Sequence, residues 1–285
     1  MRHKPFLLAL ASAAMLAAPQ QAKTADDAPQ ASSETLLPRA IDAQYSGYLL
    51  GIKVLNASLD ARLSGGEYES DALFETAGLV RWFKKAEIEA EVEGEMDRSY
   101  PKPKNYRHMN AAGSKDRTIE ITFTGDDVIS DVNPRFGSMG QPPATREERL
   151  EAVDALSAIL QMALNANRHA DRPCGYDARV FDGKQRYDLR MIYEGDYEAK
   201  LKGYKGPVTS CNVYYIPVSG FDPEDLPDED MENTPLRVWF ADTPSYGVSM
   251  PVRFELQLDF GKAVIEIRDL DIAMGDSLAG ADALD

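Results

Sequence analysis

Two histidines, His108 and His169, lie beyond the first few residues, and they bound the nucleophilic chemistry open to the chain. A hydrolase triad needs one of them beside a serine and a carboxylate. No Gly-x-Ser-x-Gly elbow is present, and Gly137-Ser138-Met139-Gly140 has the wrong spacing. Ser99-Tyr100-Pro101-Lys102 matches Ser-x-x-Lys by letter. In the enzymes that use that motif it opens a helix, which Pro101 and Pro103 forbid. Glycoside cleavage needs two carboxylates at a set separation, and 47 acids in one chain leave the pair unspecified. The acidic run FDPEDLPDEDMENT, residues 221–234, offers Asp222, Glu224, Asp225, Asp228, Glu229 and Asp230 as hard oxygen ligands. It lacks the Asp-x-Asp-x-Asp-Gly spacing that aims ligands at one calcium ion, so it reads as a solvated charge run. Zinc has too few histidines. The expectation is a non-enzymatic protein with no catalytic residue, no cofactor and no metal.

Other residues suggest binding rather than reaction. Arg81-Trp82-Phe83-Lys84-Lys85 sets Trp82 and Phe83 among cations, a composition enriched at contact surfaces; the plainer reading is a strand with core aromatics. Asp154, Ser157, Gln161 and Asn165 form a polar stripe at helical spacing. Asp154 and Gln161 are candidates to line a cavity, although a solvated face is the simpler account. Asp182-Gly183 is ordinary hairpin-turn chemistry, with Arg186 placed to pair with a carboxylate on a neighbouring strand. Cys174 and Cys211 are the only cysteines. In an exported chain an even pair predicts a disulfide, and C-x-x-C redox spacing is absent.

The element that must position these groups is residues 145–167, TREERLEAVDALSAILQMALNAN. Pro142 and Pro143 break the chain before it, and Thr145 with Glu148 makes a capping box. Arg168 and His169 suit its negative end, and Pro173 stops it. At ~1.5 Å per residue the pattern predicts one helix roughly 33 Å long. Val153, Leu156, Ile159, Leu160, Met162 and Ala163, with further alanines, fill an apolar arc of roughly 200°. A helix on a flat sheet needs about half that, so a curved sheet is expected to grip this one on several sides.

Residues 1–22 read as a secretory signal peptide: a basic start, an apolar run over 6–18 too short to anchor, then small residues. The cut is placed after Ala22, within the region 18–25. Residues 23–40 are a polar leader, 41–274 a single β domain, and 275–285 a tail expected to fray. The net charge is −16, and losing Arg2 and Lys4 takes it to −18. That excludes nucleic acid as a partner and disfavours anionic membrane surfaces. No later apolar run reaches membrane length, so the mature protein is expected to be exported, periplasmic and not integral to a membrane.

The remainder alternates as strands. Residues 45–63 read as one strand bent at Gly51, 68–77 as its hairpin partner, and 87–96, 105–111, 118–124 and 127–131 as a meander. After the helix come 178–181, 185–193, 210–218, 236–241, 252–259 and 263–272. The fold class is therefore mainly β (α+β). A single strongly curved antiparallel sheet, barrel or spiral, is expected to wrap one long central helix.

Tyr45 with Gly51-Ile52, Val153-Asp-Ala-Leu-Ser157, Val180-Phe-Asp-Gly-Lys-Gln-Arg-Tyr-Asp-Leu189 and Cys211-x-Val-x-Tyr-x-Pro-Val-x-Gly220 together resemble an exported bacterial family. It is catalogued as domain of unknown function 3108. The resemblance covers roughly residues 40–270, and Phe-Asp-Gly-x-x-Arg-Tyr is its most specific element. Leu55 departs from the pattern, standing where a glycine is expected. The resemblance implies a periplasmic, helix-filled β architecture similar to lipoprotein-carrier shells and exported β-spiral envelope proteins. It implies no catalytic residue. The function expected is cell-envelope maintenance, by binding an apolar or lipid-like ligand or an envelope partner between helix and sheet. The alternatives are a structural or interaction protein with a solid core, and an envelope-glycan hydrolase.

Overall fold

The computed structural model describes residues 38–274 apart from 79–80, 82–84, 99, 112–115, 166–172, 176, 228–232, 242 and 244–247. All the described residues belong to one compact unit, Thr35–Asp285. Seven strands precede the helical segment: β1 Pro38–Leu49, β2 Ile52–Ser64, β3 Glu67–Thr76, β4 Glu87–Asp97, β5 Tyr100–Asn110, β6 Arg117–Phe123 and β7 Val128–Asn133. Six follow it: β8 Asp177–Phe181, β9 Arg186–Lys200, β10 Lys205–Ser219, β11 Leu236–Ala241, β12 Pro251–Leu258 and β13 Gly261–Met274.

These thirteen strands form one sheet in the order β7-β6-β5-β4-β3-β2-β1-β13-β12-β11-β10-β9-β8. Every neighbour is antiparallel, so two meanders meet where the first strand pairs with the last. Alternation explains the elements: in β3, Tyr68, Ser70 and Ala72 are buried while Glu67, Glu69 and Asp71 are exposed. Bulges at Gln44/Tyr45, Glu93/Gly94, Ser210/Cys211 and Trp239/Phe240 shift the register, and bulges bend strands.

β7 and β8 do not pair, so the sheet is not closed. The segment between them serves both edges instead. Arg149 donates from Nε to the Val128 carbonyl and from its guanidinium to Asp127, covering part of β7. Val153 forms a parallel bridge to Val180, covering part of β8.

Two expectations are corrected. The stretch 145–167 is not one helix but α1, Arg146–Leu150, and α2, Ala155–Asn165. The capping box at Thr145 and Glu148 is present, yet it opens a helix of only five residues. The break is the Val153 bridge: its amide donates to the Arg179 carbonyl, and its carbonyl accepts from the Phe181 amide. A residue paired to a strand cannot keep its helical partners. Asp154 restarts the helix by accepting the Ser157 amide at 2.9 Å. Likewise, 45–63 is not one bent strand. Leu50 and Gly51 both take positive φ, 52° and 80°, and turn the chain into the β1–β2 hairpin. β1 begins at Pro38, ahead of the boundary drawn at residue 41. Residues 1–37 and 275–285 lie outside the described set.

The grip on the helix is complete. From Ala155 to Leu164 no residue of α2 is exposed, and it packs against β3, β4, β5 and β8. Leu156, Leu160, Ala163 and Leu164 join the main core with Ile41, Tyr68 and Met250. Met162 packs on a second cluster of Cys174, Met191, Cys211, Val238 and Phe240.

Candidate functional site

Three residues of the polar stripe turn inward, and the side chain of the fourth, Asn165, lies outside the described set. Asp154 and Ser157 are fully buried and Gln161 nearly so, which overturns the solvated reading. The partner that stabilises them comes from β3, far away in sequence: Tyr68 Oη and Ser157 Oγ are 2.7 Å apart. Ser157 Oγ in turn donates to Asp154 Oδ2 at 2.5 Å. Since Ser157 has one proton to give, the phenol donates to the serine and the carboxylate ends the chain. Ser157 has no exposure, so no substrate reaches it, and this Asp–Ser–Tyr chain fastens helix to sheet rather than activating a nucleophile. Asp154 is therefore an internal tie here, and Gln161 is buried on the same helix. Trp82 and Phe83 lie outside the described residues, while Arg81 and Lys85 beside them are exposed.

Burial pushes the Asp154 carboxyl up to about 6, against the hydrogen bonds from Ser157 that favour its charge. A carboxyl raised on folding destabilises the folded protein while ionised, and the loss is recovered as pH falls through the folded value. Thermal stability should therefore rise between pH 7 and about 5. Asp154→Asn keeps a cap but removes the charge. It should gain about 1–2 kcal/mol at pH 7 and flatten that part of the profile in calorimetry. Tyr68→Phe should cost about 1 kcal/mol in urea titration, because Ser157 then loses a buried partner.

A second polar group surrounds the β8–β9 turn. Asp182 Oδ1 accepts the amides of Lys184 and Gln185 at 2.9 and 2.7 Å, so the carboxylate builds its own turn. The tip is tucked beneath the opposite wing. A Cβ on Gly183 would stand 2.5 Å from Ile119 Cγ2, so only glycine fits. Burial raises Asp182 and lowers His108, each opposed by the charge of the other. Tyr106, Tyr187 and Tyr215 are pushed well above the usual phenol range, chiefly by burial. His169 lies outside the described residues.

Lys184 and Arg186 extend from this turn as fasteners. Lys184 is buried, with Nζ 2.7 Å from Asp222 and 3.2 Å from Asp225. Burial alone would lower the ammonium; hydrogen bonds to the two carboxylates outweigh it and raise it. Asp222 thus anchors the acidic loop, while Glu224 and Asp225 stay exposed as expected of a charged run, and Ser138 adds a 2.6 Å hydrogen bond to Asp222. Residues 228–230 are outside the described set, and no group of three or more potential ligands among the described residues is placed to hold a metal. Arg186 pairs with Asp188 on its own strand at 2.6 Å, not with a neighbouring strand, and its Nε donates to the Glu148 carbonyl in the middle of α1. Lys102 of the Ser-x-x-Lys match lies in β5, paired with Asp97.

Cys174 and Cys211 form a disulfide with Cα atoms 5.7 Å apart, tying the segment before β8 to β10. No helix among the described residues is long and apolar enough to cross a membrane.

One feature of the outer face escapes a linear reading. Asp271, Asp42, Asp60, Asp71, Glu91, Arg107, Glu120 and Asp131 stand in direct register across eight adjacent strands, β13 and β1 to β7. Like charges directly opposite one another are unfavourable. Asp42 and Asp60 respond in opposite directions: hydrogen bonds from Asp60 and Arg62 lower Asp42, while burial and the Asp42 carboxylate raise Asp60.

The arrangement defines a β-rich shell, one antiparallel sheet coiled around a short buried helix and fastened by a disulfide. The chain belongs to the family described as protein of unknown function DUF3108, whose model matches residues 43–268. Among solved structures it is similar to a crystal structure titled β-barrel-like protein of domain of unknown function DUF1849, from Brucella abortus. The two share 10% identity over 84% of this chain and 99% of that one, with a TM-score of 0.48. No curated protein matches the chain.

Proposed function

We propose that this is a non-enzymatic, exported cell-envelope protein with a packed interior, which acts through contacts on its outer surface. The observation that carries the reading is the helix–sheet junction. The void there, lined by Ile41, Leu59, Ala61, Leu156, Leu160 and Met250 among others, measures about 10 Å³. That is room for about one water and far below the ~300 Å³ of small-ligand sites. Ser157 is likewise bonded to Tyr68 and to Asp154, which leaves this pair nothing to offer a guest. This favours the solid-core alternative over a lipid-like ligand held between helix and sheet. Export is supported by the disulfide and by the signal-like start, and a glycan hydrolase has no supporting cleft at this junction.

Native mass spectrometry of protein recovered from the exported fraction tests the reading. The bare polypeptide mass is expected. A stoichiometric apolar adduct, released by organic extraction, would return the ligand version.

A further inference from the structure

We infer that two adjacent hairpin tips, at Leu50-Gly51 and Asp259-Phe260, form an apolar foot that docks on a lipid surface. β1 pairs with both β2 and β13, so the β1–β2 and β12–β13 turns emerge side by side at one end of the sheet. The Leu50 amide donates to the Lys262 carbonyl, joining the tips. Leu50 is 59% exposed, Ile52 56% and Phe260 65%. The Leu50 side chain lies over the Cα of Gly261, where no side chain stands in its way, next to Phe260. These residues form one patch rather than scattered apolar positions, and such patches mark contact sites.

Folding gives no reason for Leu50. Its φ of 52° is a conformation that asparagine or glycine adopts far more readily. Its side chain contributes little to the core. A residue unfavourable to the backbone and left in water answers to something outside the molecule.

Shape and charge select the occupant. Both tips end in exposed apolar side chains, which suits insertion between lipid headgroups. The two turns, residues 49–53 and 258–262, carry Lys53 and Lys262 against Asp259, and just behind them Lys262 pairs with Glu255 and Arg253 with Glu266, so this end is close to neutral in a chain of net charge −16. The acidic row lies farther down the same strands. This end therefore meets phosphate headgroups without the repulsion the rest of the surface would bring. Behind the tips, Tyr48 and Val264 extend the apolar strip into a groove of about 490 Å³ edged by Arg253, Lys262 and Glu266.

The inference rests on the surface-acting reading above and names its partner. The test is co-sedimentation of the exported form of the full chain with vesicles of phosphatidylethanolamine and phosphatidylglycerol. Wild type should bind. Leu50→Asn and Phe260→Ser should each weaken partitioning roughly ten-fold, as expected for losing one partly inserted side chain. Leu50→Asn should fold with undiminished thermal stability, because asparagine tolerates the left-handed turn, so lost binding is not lost folding. No vesicle binding by wild type, variants that bind as wild type does, or capture of a protein by the tips without lipid binding would each overturn the lipid foot. None of these touches the packed interior, which fails only if a ligand is found inside.

Discussion

Arg186→Ala should be the most damaging single side-chain truncation outside the apolar core, costing about 3–5 kcal/mol of unfolding free energy. The guanidinium is 5% exposed and makes three contacts at once. Its Nη1 donates to the Tyr187 carbonyl at 2.7 Å and to Asp188 at 2.6 Å, and its Nε donates to the Glu148 carbonyl at 3.2 Å. Glu148 completes the capping box of α1 with Thr145, and its carboxylate also accepts from Ser219 Oγ at the end of β10. One side chain thus holds β9, β10 and the helical segment in a single arrangement. Removing it strands a partly buried carboxylate and two partly buried carbonyls, which costs more than the lost attraction alone. Arg186→Lys should recover little, because an ammonium cannot direct donors at three acceptors in the guanidinium's fixed geometry. Urea denaturation should show the midpoint falling with the slope unchanged. A slope change would mean that the residue organises the unfolded chain instead.

The same residues show what the sequence could and could not reveal. Thr145 with Glu148, Asp182-Gly183 and the cysteine pair act over short or covalent ranges, so their chemistry was readable along the chain. The broad apolar arc of α2 also implied an enveloping sheet, because every face of a helix must be either wet or covered. The helix break was not readable. It depends on Val153 pairing with Val180, a contact set only once β8 is in place, and local propensity at Ala152-Val153 continues the helix comfortably. The burial of Asp154 and Ser157 was hidden for the same reason, since Tyr68 stands 89 residues from Ser157. A polar stripe reads as solvated until its distant partner is known. Leu50 is the opposite case. Nothing about a leucine signals a left-handed turn, and the sequence pattern favoured a strand where the chain in fact turns.

The family motif Phe181-Asp-Gly-x-x-Arg-Tyr187 takes on a structural meaning in this light. Asp182 builds a turn, Gly183 lets it slide beneath Ile119, Lys184 pins the acidic loop, and Arg186 holds α1. A sheet that does not close through strand pairing needs fastening where its wings approach, and this hairpin supplies it. The run therefore specifies how the unclosed sheet is fastened.

Replacing both cysteines with alanine should cost about 3–4 kcal/mol, from the lost restriction on a loop spanning 37 residues of unfolded chain. For a domain of this size that is a fall of roughly 6–16 °C in melting temperature. The bridge also has a local task that chain entropy omits. Cys174 precedes β8, the edge strand that accepts the Val153 bridge, and Cys211 lies at the β10 bulge opposite Tyr193. Cutting the tie should loosen the strand that terminates the helix break before it loosens the central strands. Hydrogen exchange should accordingly show the amides of Val153 and Phe181 losing protection well below global unfolding, while Ala43 and Ile267 at the junction of the two meanders keep theirs. If protection fell evenly across the sheet, the disulfide would act on the unfolded chain alone. β8 would then owe its position to the Val153 pairing and not to sulfur.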